Sequence, residues 1–316
     1  MTPDRPPVPP RLGSAAGRFT ASAFRRVSLP AAAVIALLMA LPATARPQQP
    51  EHDERPERPQ RIVSMNLCTD QLALLLAPTE TIRSLSYLVA RPDASALSDR
   101  VGDIPLNHGR AEEILPFAPD MVLAGRYTSR PTVFLLQRLG YPVFDQDISR
   151  SIAEVRERVR EVGRAIGAEA QAETEVAAMD ARLAELAPQP GERRPTAVYY
   201  QPNGYTAGAD TLVGDVISHA GLENLGGRLG VHGHERLPLE TLLQLSPELL
   251  IFSEVQPQAP ALAYEVLRHP ALKKLIDRSA TVTVPTRLWV CGIPATVEAV
   301  AVLAEARRQL IGRDSR

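Results

Sequence analysis

One long helical periodicity in the middle of the chain narrows the possible folds more than anything else. Apolar residues fall at positions 152, 155, 159, 162, 166 and 170, then at 176, 179, 183 and 186. These are steps of three and four with one gap. Ser151-Ile152-Ala153-Glu154 has the form of a capping-box start, and Pro188, Pro190 and Gly191 close the run. About 35 residues of helix reach roughly 50 Å. Without regular heptads, a helix of that length is expected as a rigid strut between two bodies rather than a coiled-coil seam.

Short apolar runs flank the strut on both sides. Before it stand Ile62–Met65, Ile82–Ser86, Met121–Ala124 and Pro142–Asp145; after it stand Thr196–Tyr200, Glu248–Ser253 and Thr281–Val284. Their alternation with helical patterns points to α/β architecture, with a lobe at 61–150, an inter-lobe helix at 151–187 and a second lobe at 188–316. With 45% apolar and 22% charged residues, most of the chain can bury a core. The 35 basic and 36 acidic side chains leave a net charge of −1. That balance lacks the basic excess of a nucleic-acid binder, so no nucleic-acid partner is expected.

The N-terminus reads as a targeting segment. Arg25-Arg26 precede AAAVIALLMAL at positions 31–41, and Pro42-Ala43-Thr44-Ala45 follows. A basic flank, a short apolar core and an A-x-A end describe a secretory signal peptide, cut after Ala45. The apolar core falls short of the ~18 residues that a membrane helix needs. Residues 46–60, RPQQPEHDERPERPQ, are expected to form an unstructured leader. The mature protein would then reside in the periplasm.

The two lobes echo each other. Glu112-Glu113-Ile114-Leu115-Pro116-Phe117-Ala118-Pro119-Asp120 leads into Met-Val-Leu-Ala, and Glu240-Thr241-Leu242-Leu243-Gln244-Leu245-Ser246-Pro247-Glu248 leads into Leu-Leu-Ile-Phe. In each, a glutamate opens a helical turn seven residues before a Pro-acid pair, and a buried strand follows. The same grammar on both sides of the strut suggests duplicated lobes.

RIVSMNLCTDQLALLL, NHGRAEEILPFAPDMVLAG, the long helix and LPLETLLQLSPELLIF together resemble the periplasmic substrate-binding proteins of ABC importers. The branch is the one with a helical backbone between its lobes, which serves cobalamin, haem and iron siderophores. The resemblance spans essentially Arg61 to Leu310. It implies two Rossmann-like lobes joined by the long helix, a ligand cleft between them, a monomer, no catalysis and no cofactor. Its partners would be a small metal–organic chelate and the permease of an ABC importer in the inner membrane. It also maps a docking carboxylate on each lobe onto Glu112 and Glu240. Read from the residues alone, both could simply stabilise a helix start.

Open α/β sheets bind ligands outside the carboxyl ends of their strands. Those ends are Asn66-Leu67-Cys68, Gly125-Arg126-Tyr127, Tyr200 to Tyr205, Glu254 and the 288–294 loop. Aromatic residues make only 4% of the chain, yet Tyr127, Tyr199, Tyr200, Tyr205 and the sole tryptophan, Trp289, lie at or near such ends. A large flat ligand is held by apolar faces with a few placed polar groups. The expected ligand-binding set is therefore Asn66, Cys68, Arg126, Tyr127, Tyr200, Tyr205, Glu254, Trp289 and Cys291, although a tyrosine near a strand end can equally be a packing residue. Arg126 could pair with a ligand carboxylate or phosphate. A Cys68–Cys291 bond would cross the cleft and tie the lobes, so two free thiols contacting the ligand are expected instead.

Two other functions compete. His232-Gly233-His234 with His108 and Glu254 could bind zinc or manganese directly. Ser64, His108 and Asp103 could be assembled into a hydrolase, but no nucleophile-elbow motif is present. A corrinoid is favoured over a ferric siderophore, because a polyanionic siderophore calls for more cationic side chains than Arg126 alone.

Overall fold

Two parallel sheets carry the chain. The structure is a computed structural model that describes residues 58–254 and 262–314. The stretch read as a signal peptide, and most of the leader, lie outside these residues. The first lobe runs β1 (Ile62–Ser64), α1 (Leu67–Leu76), β2 (Ile82–Ser86), β3 (Leu106–Asn107), α2 (Ala111–Ile114), β4 (Met121–Gly125), α3 (Arg130–Arg138) and β5 (Val143–Gln146). Then come α4 (Ile152–Ala165) and α5 (Glu169–Leu186). The second lobe begins with β6 (Thr196–Tyr199), β7 (Tyr205–Ala207), α6 (Leu212–His219), β8 (Glu223–Asn224) and α7 (Leu225–Arg228). It ends with β9 (His234–Arg236), α8 (Leu239–Leu245), β10 (Leu249–Ser253), α9 (Pro270–Ile276), β11 (Ala280–Val284) and α10 (Thr296–Asp314).

The first sheet has the order β3-β2-β1-β4-β5 and the second β11-β10-β6-β8, with every pair parallel. A short antiparallel ribbon, β7-β9, accompanies the second. Parallel strands covered on both faces need continuous apolar runs, and Ile62, Val63, Val122, Leu123, Leu250 and Ile251 are all fully buried. This is why the longer strands stand where their apolar runs predict them. β3, β7, β8 and β9 have only two or three residues each and carry no such run.

The expected single strut is not one helix. α4 stops at Ala165, Gly167 takes a left-handed φ of +67°, and α5 begins at Glu169. Ala168 N–H donates to Gly163 O (2.7 Å) and Gly167 N–H to Arg164 O (3.3 Å), the paired bonds of a glycine-terminated Schellman cap. α5 then doubles back along α4: Arg160 reaches Glu173 (2.7 Å) and Arg156 reaches Asp180 (2.6 Å). Gly163 lets the helices meet, since a Cβ there would stand 2.6 Å from that of Ala172. The physical reason for the difference is Gly167, which stabilises a reversal that the apolar steps of three and four read through. The start of the run is as expected: Ser151 Oγ accepts Glu154 N–H (3.1 Å), while Glu154 reaches back to Arg150 N–H (2.7 Å).

This helical hairpin holds the lobes together by packing. α4 lies on α1 of the first lobe and on α6 of the second, and α5 packs against α10. Ile152 N–H, at the start of α4, donates to the Asp215 carboxylate of α6 (2.7 Å). One apolar cluster runs from Ile62 and Leu72 through Val155 and Val176 to Ile217 and Leu303. The lobes therefore share a core. Each sheet closes its other face with a smaller cluster of its own, around Val63, Ile114 and Leu136 in the first lobe and Val198, Tyr200 and Leu242 in the second.

Candidate functional site

The carboxyl ends of both sheets line one cleft of about 610 Å³. From the first lobe, the turn after β1 carries Asn66, which caps α1 by accepting Cys68 N–H on its side chain (3.0 Å). β4 ends against the same side chain: a Cβ on Gly125 would lie 2.8 Å from Asn66 Cγ, so glycine is what permits the approach. Arg126, Tyr127 and the Gln146–Arg150 segment complete this wall. From the second lobe come Tyr199, Gln201, Asp210–Val213, His234, Ser253, Glu254, Tyr264 and the Trp289–Gly292 loop.

Trp289 stands edge-on to Tyr199, ring centroids 5.2 Å apart. Burial lifts the Tyr199 phenol above its ordinary pKa despite its 2.9 Å hydrogen bond with Ser253 Oγ. Tyr127 is 79% exposed and offers a free ring face at the cleft edge. Among the described residues, Gln146 Oε1 and Trp289 Nε1 are buried without a hydrogen-bond partner, an arrangement costing about 1–3 kcal/mol per group.

The charges in the cleft are largely answered within it. Asp147 accepts Ile148 N–H (2.8 Å) and faces Arg126 (3.3 Å), and together these hold its carboxyl below the usual range. Asp210 is lowered by Gly233 N–H (2.8 Å), with His232 nearby (3.7 Å). Glu254 meets Arg287 at 3.7 Å. Two arginines, Arg126 and Arg150, thus face three carboxylates, Asp147, Asp210 and Glu254, among the lining residues.

Of the residues predicted from sequence, Asn66, Cys68, Arg126, Tyr127, Glu254, Trp289 and Cys291 line this cleft. Tyr200 and Tyr205 do not. Tyr200 is fully buried in the second lobe's own cluster, because side chains alternate along β6 and the cleft face belongs to Tyr199. Tyr205 sits on the β7-β9 ribbon under the Arg236 guanidinium, 5.7 Å from its ring centroid. The two cysteines are not free thiols. They form a disulfide with Cα atoms 5.2 Å apart, because the shared core brings the two strand ends within bonding range.

Glu112 and Glu240 are exposed, and each is the second residue of its helix, α2 and α8. The histidines do not gather into a metal site. His108 stacks on Tyr87 (4.8 Å) and bonds Glu113 (3.1 Å), and no group of three or more His, Cys, Asp or Glu converges among the described residues. Ser64 is fully buried, its hydroxyl held by Thr69 Oγ1 (2.8 Å) and by the Asp70 carboxylate in the core of the first lobe. Sequence reasoning missed the 146–150 segment, although the end of β5 is itself a carboxyl strand end. It also missed Asp210–Val213, the entry into α6, because the strand before it, β7, is only three residues long and carries no apolar run.

A comparison with known proteins fits this geometry. Residues 70–276 match the periplasmic binding protein family, and the chain belongs to it. A Halobacterium salinarum protein named as a cobalamin-binding protein is 28% identical over 196 residues, 60% of this chain and 53% of the relative. The chain thus spans about half the length of that curated relative. Among solved structures, the periplasmic heme-binding protein RhuT from Roseiflexus sp. RS-1 is similar with a TM-score of 0.65 at 20% identity, covering 79% of this chain and 98% of RhuT. The vitamin B12 binding protein BtuF of Vibrio cholerae gives 0.61 at 15%, covering 80% of this chain and 98% of BtuF. At such identities the likeness is one of fold.

Proposed function

We propose that this chain is a periplasmic receptor that captures a corrinoid in the inter-lobe cleft and delivers it to an ABC importer. It acts by binding rather than by catalysis, as a monomer. The observation that carries the reading is the composition of the cleft: aromatic faces from Tyr127, Tyr199 and Trp289, amides from Asn66, Gln146 and Gln201, and no cationic surplus. A polyanionic ferric siderophore or a haem with two propionates would leave its charge uncompensated against three carboxylates and two arginines. A corrinoid fringed with carboxamides needs amide partners and flat apolar contacts instead. The cobalamin-binding relative points the same way. Glu112 and Glu240 would meet the permease, one from each lobe.

The test uses purified mature protein titrated with cyanocobalamin, haemin and a ferric hydroxamate. Calorimetry is read beside the fluorescence of Trp289, the chain's only tryptophan. Tight binding of cyanocobalamin with quenching, and weaker binding of the other two, is expected. Tight zinc binding with no response to any chelate would overturn the reading in favour of a free-ion receptor.

A further inference from the structure

The only two cysteines of the chain, Cys68 and Cys291, are bonded to each other across 223 positions of sequence. Cys68 is the second residue of α1 in the first lobe, and Cys291 lies in the loop that leads to α10 in the second. Asn66 stands two residues before one cysteine and Trp289 two residues before the other, and all four residues line the cleft. The bond therefore ties one cleft wall directly to the opposite wall. Cys291 is 1% exposed, and its loop is packed so closely that a Cβ on Gly292 would lie 2.4 Å from that of Ser149. Cys68 is only half-buried.

We propose that this cystine is a redox-addressed latch that positions the two walls of the ligand cleft, closed when oxidised, released by a dithiol donor and shielded while the cleft is occupied. The shielding rests on the reading that the ligand fills this cleft. The exchange balances as follows. A donor thiolate attacks Sγ of Cys68, the accessible sulfur; the S–S bond breaks, and Cys291 departs as a thiolate that takes up a proton. The donor's second thiolate attacks the mixed disulfide and frees Cys68, which is protonated in turn. The donor ends as a disulfide, and the protein gains two electrons and two protons.

Release loosens the walls without unfolding the chain, because the α4–α5 hairpin and the shared apolar cluster still join the lobes. The position of Cys68 also favours release. The positive end of α1 stabilises its thiolate, and with it the reduced form that the dithiol donor produces. Ligand affinity responds because a cleft whose walls are held in place does not have to order them on binding.

The experiment cycles the wild-type mature protein between dithiothreitol and oxidised glutathione, with alkylation and mass spectrometry to count thiols. Without ligand, small-angle scattering is expected to widen on reduction and return on reoxidation. The affinity for cyanocobalamin should fall about tenfold on reduction, and saturating cyanocobalamin should slow reduction about tenfold. Cys68→Ser with Cys291→Ser should match the reduced protein; if that variant fails to fold, the reversible wild-type cycle decides. Scattering unchanged on reduction, with affinity within twofold, would overturn the latch. Scattering that widens in a protein binding no chelate would keep the latch and overturn the corrinoid reading instead.

Discussion

Segments 110–125 and 238–253 are two copies of one device, and their differences separate what the fold requires from what it leaves free. Each runs from a short helix through a left-handed residue, Ala118 (φ 43°) or Ser246 (φ 41°), to Pro, an acid and a buried strand. In each, the acid pins the start of the neighbouring strand. Asp120 accepts Gln60 N–H (3.0 Å) and Arg61 N–H (2.8 Å), whereas Glu248 accepts Thr196 N–H (2.8 Å) and is paired with Arg193. The helix starts differ. In the first copy Glu113 folds back onto His108 N–H (2.6 Å), which holds its carboxyl below the usual range. The second copy has Thr241 there. Only the leading glutamate, Glu112 or Glu240, recurs at the same offset, exposed in both copies and without a hydrogen bond or ion pair among the described residues.

A carboxylate repeated on both lobes, with no hydrogen-bond or ion-pair partner among the described residues, still serves the helix start, by ~0.3–1 kcal/mol. Docking to the permease predicts a far larger effect. Glu112→Ala with Glu240→Ala is expected to abolish uptake in cells, while calorimetric affinity stays within twofold and thermal stability changes little. Reversal of both charges to Arg should be at least as severe, and raised salt should weaken docking of the wild type. Normal uptake by the double alanine variant would reduce both residues to helix-start charges.

The same comparison shows what could be read before the structure. The leading glutamates, the Pro-acid pairs and the long strands were legible because parallel strands need continuous apolar runs and helix starts need particular residues. Gly167 was not, because a glycine between Ile166 and Ala168 is tolerated in many helices, and only the Schellman bonds and the pairing of Arg160 with Glu173 disclose a reversal. Tyr199 and Tyr200 are neighbours of one type, and which faces the cleft depends on the register of β6 against β10. The cysteine pairing depends on a distance of 5.2 Å between residues 223 apart, which the shared core sets.

A second pair of equivalent residues sharpens the contrast between lobes. Asp70 and Asp215 are each the fourth residue of a helix, α1 or α6, whose cap residue, Asn66 or Thr211, accepts a backbone N–H. Asp215 is 24% exposed and receives Ile152 N–H. Asp70 is fully buried, with Ser86 N–H (3.0 Å) and the Ser86 hydroxyl on its oxygens, and burial raises its pKa from 3.8 to about 7. The native state then holds a proton that the unfolded chain releases near pH 4. Stability from this group is present below pH 4 and falls as pH rises towards 7, by up to about 4 kcal/mol. Asp70→Asn should flatten that decline in urea titrations at pH 4, 5.5 and 8. Asp215→Asn should instead cost about 1 kcal/mol at neutral pH, through the weakened bond to the start of α4. A wild-type decline that persists in Asp70→Asn would show that another group carries it.

The smallest effect concerns the two left-handed residues, Ala118 after the 3-10 turn Leu115–Phe117 that extends α2, and Ser246 at the end of α8. A non-glycine residue in that conformation is disfavoured by roughly 1–2 kcal/mol, and glycine removes the penalty while adding about 0.4–1 kcal/mol of unfolded-state entropy. The two terms nearly cancel, so side-chain bonds decide the sign. Ala118 has a methyl group that bonds nothing, whereas Ser246 Oγ donates to Leu243 O (3.1 Å) and helps close its helix. Ala118→Gly should therefore raise stability by about 0.5 kcal/mol, and Ser246→Gly should leave it unchanged or slightly lower. Urea midpoints at constant m-value would measure both. Equal gains at the two sites would mean that the Ser246 hydroxyl bond contributes nothing, and that the two copies end their helices by backbone geometry alone.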